Sequence, residues 1–255
     1  MPAPTTTSLG LALGTHPAGT PISPALTGTI RIYAIGDSFT QGGSSSSDGN
    51  TGLAWRQYVA EMLNADGISW APVGNLNSLA PDWLLHRAIF GEPITDFIAD
   101  YTATPSLISN ADPDVVMICP LGYNDIAAGT SGADTVTLLQ DLLEIFRAYT
   151  NGRSVSPRIV CSYLMDRNAG TAGERTRIAD FNTALPAMIA TQQGLGQLIS
   201  LADVRTYGNN PGATPTRRAD GFHPNDTLYR LIAREYYAKL RNALGLDAGW
   251  GRPTS

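Results

Sequence analysis

The chain has 255 residues, 43% hydrophobic and 15% charged, with 26 Gly and 17 Pro; this is enough apolar material for one substantial core, cut by many turns, and excludes wholesale disorder. With 17 Lys and Arg against 22 Asp and Glu, a formal charge of −5, and no basic cluster longer than Arg217-Arg218, a nucleic-acid partner is not expected. No stretch approaches the roughly 18 to 20 consecutive apolar residues of a membrane span, and the N-terminus lacks the charged and apolar regions of a secretory signal, so a soluble chain is expected, its compartment and oligomeric state left open.

Residues 1–28, rich in Thr, Pro and Gly, read as an extended or poorly ordered arm, and residues 29–255 as a single domain. The β-branched and aromatic run from Ile30 to Ile35, stopped by Gly36, predicts the first strand. A polar loop from Gly42 to Asn50 follows. Trp55, Val59, Met62 and Leu63 then recur at helical spacing, with Tyr58 on the flank of that face. Ile68 to Val73 predicts a second strand closed by Gly74. The nearly continuous apolar run from Asp114 to Cys119 predicts a third, covered on both faces. Val136, Leu139, Leu142, Leu143 and Phe146 share one face of a helix over Ala133 to Tyr149. A fourth strand fits Arg158 to Tyr163. Ile178, Phe181, Leu185, Met188 and Ile189 mark a further helix in which Pro186 invites a kink. A fifth strand fits Leu198 to Val204, and a last helix, with Leu228, Leu231, Ile232, Tyr236 and Leu240 inward, runs from Asn225 or Asp226 to Leu244 before Gly245.

Strands that alternate with helices, each strand mostly apolar, predict an α/β protein with a five-stranded parallel sheet between helical layers, a three-layer α/β/α sandwich. Cys119 and Cys161 fall inside predicted strands and read as reduced packing residues. The three His show no metal-ligand spacing, so neither metal nor cofactor is expected.

In such sheets ligands bind beyond the carboxyl ends of the strands. Ser38, in Gly36-Asp37-Ser38-Phe39-Thr40-Gln41-Gly42, follows the first strand directly, and Gly122-Tyr123-Asn124-Asp125 follows the third. A serine hydroxyl needs an imidazole to take its proton and a carboxylate to fix that imidazole's tautomer. Asp220-Gly221-Phe222-His223-Pro224, ahead of the last helix, offers both from one turn. Taken alone, each word also reads as a turn, a cap or a helix entry; Asp37 and Asp125 read as carboxylates that brace loops.

These three words, in this order, resemble those of the SGNH or GDSL-type serine hydrolases. The resemblance implies a flavodoxin-like SGNH hydrolase fold and a cofactor-independent serine esterase whose catalytic residues are Ser38, Asp220 and His223. Its oxyanion hole would combine the Ser38 backbone N–H, a glycine N–H and the Asn124 amide. For the glycine, the stretch from His86 to Ile94 resembles a His-Glu-Gly-x-x-Gly-x-x-Ile word of carbohydrate-esterase branches and points to Gly91, although Arg87 and Ala88 replace the expected Glu and Gly. Gly74, straight after the second strand, is the alternative.

Tyr123, Phe39, His86 and Phe222 are candidate walls of a substrate pocket, as is Trp83. The substrate implied is a small acyl ester, acetyl above all, possibly on carbohydrate. A lipase, lysophospholipase or thioesterase for longer acyl chains is the competing enzyme, and a glycan-binding module that has lost activity is the competing non-enzyme. Transfer of the acyl group to a sugar instead of water uses the same triad and stays open.

Overall fold

The computed structural model describes residues 25–42, 54–76, 84–166, 170–208 and 222–246. Most of the expected N-terminal arm therefore lies outside the described residues.

The sheet assembles mostly from short, predominantly apolar segments. In chain order its strands are β1 (Ile30–Gly36), β2 (Trp70–Val73), β3 (Arg87–Ala88), β4 (Val115–Ile118), β5 (Arg158–Ser162) and β6 (Ile199–Ala202). Their order is β2-β1-β4-β5-β6, every pairing parallel. The sequence does not announce β3, which has two residues and hence no periodicity. It pairs with Ile35 and Gly36, filling the edge of β1 that β2 leaves open after pairing with Ile30 to Tyr33.

The helices are α1 (Ser38–Gln41), α2 (Trp55–Ala65), α3 (Ile94–Ala103), α4 (Ser106–Ser109), α5 (Tyr123–Ala127), α6 (Gly132–Ala148), α7 (Ala172–Gly194), α8 (Arg205–Gly208) and α9 (Asp226–Leu244). A capping box between Thr171 and Glu174 starts α7, which runs through Pro186 without a break. Asn225 caps α9 by accepting the Leu228 N–H at 3.1 Å, and Gly245 ends it in the left-handed conformation at φ 75°. Met62 and Leu231, expected to face inward, are only half-buried, because each lies at the margin of its helix's apolar stripe.

α2 packs on α9, with Trp55 stacked on Tyr236 at 5.0 Å, while α3, α6 and α7 form the other layer. Cys119 and Cys161 are free and buried, and burial pushes the Cys161 thiol up to about 12. The strand order reverses between β1 and β4, where a crevice opens at the carboxyl ends of an open α/β sheet. Ser38 leaves β1 and Asn124 follows β4 on the two sides of that crevice.

Candidate active site

The turn that presents Ser38 is fixed from within. The Asp37 carboxylate accepts the Phe39 N–H at 3.0 Å, and its carbonyl accepts the N–H groups of Thr40 and Gln41. Gly42, left-handed at φ 99°, closes the turn by donating to the Ser38 carbonyl at 2.9 Å. Gly36 stands where the backbone enters the turn, at φ +154°, and a Cβ there would come within 2.6 Å of the Cys119 carbonyl oxygen. The approach is close because the Thr40 hydroxyl donates to that same carbonyl, tying the turn to the end of β4.

Arg56 braces the turn from α2. Its guanidinium donates to the carbonyls of Thr40 (2.6 Å), Leu84 (2.7 Å) and Gln41 (3.3 Å). Burial lowers its pKa to about 10, since loss of solvating water disfavours the charged form.

His223 enters just ahead of α9, and its Nε2 lies 2.8 Å from Ser38 Oγ, across 185 positions of sequence. Both residues are buried. Among the described residues, aromatic rings flank the imidazole at Phe222 (4.5 Å, edge-on), Phe39 (5.5 Å) and Phe90 (5.8 Å). The distance and the shielding suit transfer of the serine proton to the imidazole. Asp220, expected to orient that ring, lies outside the described residues, as does Trp83.

The second wall comes from the segment after β3. The Ile89 N–H donates to the Gly36 carbonyl at 3.1 Å and the Glu92 N–H to the Ile89 carbonyl at 3.3 Å. Phe90 and Gly91, the latter exposed and left-handed at φ 77°, therefore form a tight turn at the end of β1. The Glu92 carbonyl accepts from Asn124 Nδ2 at 3.1 Å, and Asp37 Oδ2 lies 3.4 Å from the same nitrogen. Ser38, His223, Asn124 and the Gly91 turn are thus gathered at one place. Gly74 is not part of that cluster's hydrogen bonding: it packs on the His86 backbone, 2.6 Å from where its Cβ would be, beside the antiparallel bridge between Leu76 and His86.

Arg87, which departs from the resembled word, has a structural explanation. It is buried and donates to both carboxylate oxygens of Glu92, at 3.3 and 3.4 Å, to Asp100, and lies over the Phe97 ring at 5.4 Å. Burial raises the Glu92 pKa, with Arg87 opposing the shift. Asp125 braces the same region, its carboxylate accepting the Ile94 N–H at the start of α3 at 3.1 to 3.2 Å. Pro93, at the cap position of that helix, offers no side-chain acceptor.

Not every expected pocket wall is open to a ligand. His86 is fully buried, with Nδ1 accepting the Ala88 N–H at 3.0 Å. Phe39 and Tyr123 stack on each other at 5.1 Å, 1% and 2% exposed, and the Tyr123 hydroxyl donates to the Met165 carbonyl at 2.6 Å. In this conformation these three back the site and do not line it; Phe222 is half-buried. Among the described residues the exposed aromatic of the site is instead Phe90, 62% exposed, which adjoins Gly91 and carries no signal in the sequence that sets it apart.

The sequence model of the GDSL-like lipase/acylhydrolase family matches residues 34–231. Among solved structures, a carbohydrate esterase family 3 protein from Talaromyces cellulolyticus is similar at a TM-score of 0.68 and 22% identity, covering 85% of this chain and 98% of its own. A family 3 carbohydrate esterase from Clostridium thermocellum is similar at 0.67 and 19%, covering 87% and 100%. An acetyl esterase mutant determined with acetate ion is similar at 0.67 and 22%, covering 85% and 98%. At these identities the likeness is one of fold. No curated protein matches the sequence.

Proposed function

The chain belongs to the GDSL-like lipase/acylhydrolase family, and on that footing we propose that it is a serine esterase that hydrolyses small acyl esters, acetyl esters of carbohydrate first among them, through an acyl-Ser38 intermediate. The observation that carries this reading is the 2.8 Å contact between Ser38 Oγ and His223 Nε2. In the proposed course His223 takes the Ser38 proton as Oγ attacks the ester carbonyl, then gives it to the departing alcohol. Water, activated by the same imidazole, then releases the acid. Asp220, three positions before His223 in the sequence, is the carboxylate assigned to hold the imidazole tautomer.

Negative charge on the carbonyl oxygen would meet the Ser38 N–H, at the first position of α1 where no intrahelical acceptor exists, the Gly91 N–H and the Asn124 amide. Each such donor is worth about 2.7 to 4 kcal/mol. The Glu92 carbonyl fixes one Asn124 N–H, and the other, held only loosely by Asp37 at 3.4 Å, is the one to turn onto the oxyanion. Gly91 is preferred over Gly74 because its turn shares hydrogen bonds with Gly36 and Asn124.

A short acyl group is favoured because Phe39 and Tyr123, buried and stacked, fill the space behind Ser38 and Asn124. The carbohydrate part draws on the resemblance around His86 to Ile94 and on the family 3 carbohydrate esterases of like fold. Rates on p-nitrophenyl esters of increasing acyl length test this. The maximum is expected at acetate, falling steadily thereafter, whereas a maximum at medium or long chains would replace it with a lipase or thioesterase.

A further inference from the structure

Phe90 is 62% exposed, yet its ring centroid is 5.8 Å from that of His223, the two planes inclined at 36°. A single exposed aromatic on a protein surface needs no explanation. One fixed beside a candidate catalytic base is different, and Phe90 is fixed. The Ile89 N–H anchors its turn to Gly36, and the buried pair of Arg87 with Glu92 closes the turn from the other side.

The chemistry assigns what lies beside it. The imidazole that takes the serine proton must hand it to the leaving oxygen, so the alcohol part of the ester passes within hydrogen-bond reach of His223 Nε2. The acyl oxygen points away, toward the oxyanion donors. The alcohol part therefore comes to rest against the open ring next to the imidazole. Among the described residues Phe39 and Tyr123 are covered and Phe222 is half-buried, so Phe90 presents the open aromatic face beside the imidazole. Its free face suits a flat partner of one ring's size that keeps its hydroxyls in water.

We propose that Phe90 is a binding platform for the alcohol part of the substrate, and that it takes a sugar ring by its apolar C–H face. This rests on the ester-hydrolase reading above and adds to it a leaving-group subsite. The test compares kcat/KM for an acetylated methyl glucopyranoside with that for ethyl acetate. Both form the same acetyl-enzyme, so their ratio reports the alcohol part alone. In Phe90→Ala the ratio of sugar ester to ethyl ester is expected to fall about fivefold, as loss of one ring-face contact implies, mainly through KM of the sugar ester. Phe90→Trp is expected to keep or raise the ratio. A ratio unchanged in Phe90→Ala, or an equal loss on both esters, would overturn the platform. A wild-type protein that hydrolyses neither ester would overturn the esterase reading itself, an outcome visible before any variant is made.

Discussion

Arg87 and Glu92 face each other as a buried, two-pronged ion pair across the turn that carries Phe90 and Gly91, with 5% and 8% of their side chains exposed. Asp100, half exposed, joins the same guanidinium from α3. The pair connects a charge reversal in the sequence to the geometry of the site, because the carbonyl of Glu92 also orients the Asn124 amide.

Removing Arg87 leaves Glu92 buried without its counterion. Arg87→Met is expected to lose about 3 to 5 kcal/mol of stability, the usual cost of breaking a buried pair from one side, and to lower kcat more than it raises KM. Arg87→Lys keeps the charge without the planar fork and falls between. Urea unfolding alongside steady-state kinetics separates the two effects, and wild-type kcat in Arg87→Met would show that the pair does not position the site.

Asn124 is expected to act on the transition state alone. Asn124→Ala should reduce kcat by about 10² to 10³ with little change in KM. Asp220→Asn should reduce kcat by up to about 10⁴ through the wrong imidazole tautomer; near-normal turnover would assign the orienting carboxylate elsewhere.

Gly36 tolerates no side chain. A Cβ would press on the Cys119 carbonyl at 2.6 Å and on the Thr40 hydroxyl that bonds it, at a backbone angle L residues rarely adopt. Gly36→Ala is expected to cost about 1 to 3 kcal/mol, the scale of overpacking, and to displace Ser38 from His223. Thermal unfolding and the rate on p-nitrophenyl acetate check both.

Asp125 makes stability depend on pH. Burial raises its pKa in the folded state, only partly offset by the Ile94 N–H. The folded protein thus holds this proton to higher pH than the unfolded chain does, and its contribution falls as pH rises from the ordinary carboxylate range to the raised value. Stability relative to Asp125→Asn, which keeps an acceptor for Ile94, should decline across that window. A flat difference would place the carboxylate in an environment like that of the unfolded chain. Asp125→Ala, which loses the cap outright, should cost about 0.5 to 2 kcal/mol near neutral pH.

Much of the scaffold was legible because its signals are long. The apolar runs of β1 and β4 and the periodic stripes of α6 and α9 each repeat over several residues, and strands running parallel in one sheet require Ser38 and Asn124 to emerge on one rim. Short features left no such trace. β3 exists because β1 has an open edge, a tertiary fact that no window of sequence contains. Aromatic side chains were the other blind spot: Phe39 and Phe90 look alike in sequence, yet one is 1% and the other 62% exposed. Arg87 read only as a departure from a known word, since its partners Glu92 and Asp100 become neighbours through the turn and through α3.

In the proposed reaction Ser38 is the nucleophile and His223 its base. Intact-protein mass after treatment with a fluorophosphonate, followed by peptide mapping, tests it most directly. One adduct on Ser38 is predicted, absent in Ser38→Ala and greatly slowed in His223→Ala, with ester hydrolysis lost in step. No adduct, an adduct on another residue, or undiminished hydrolysis by Ser38→Ala would contradict it.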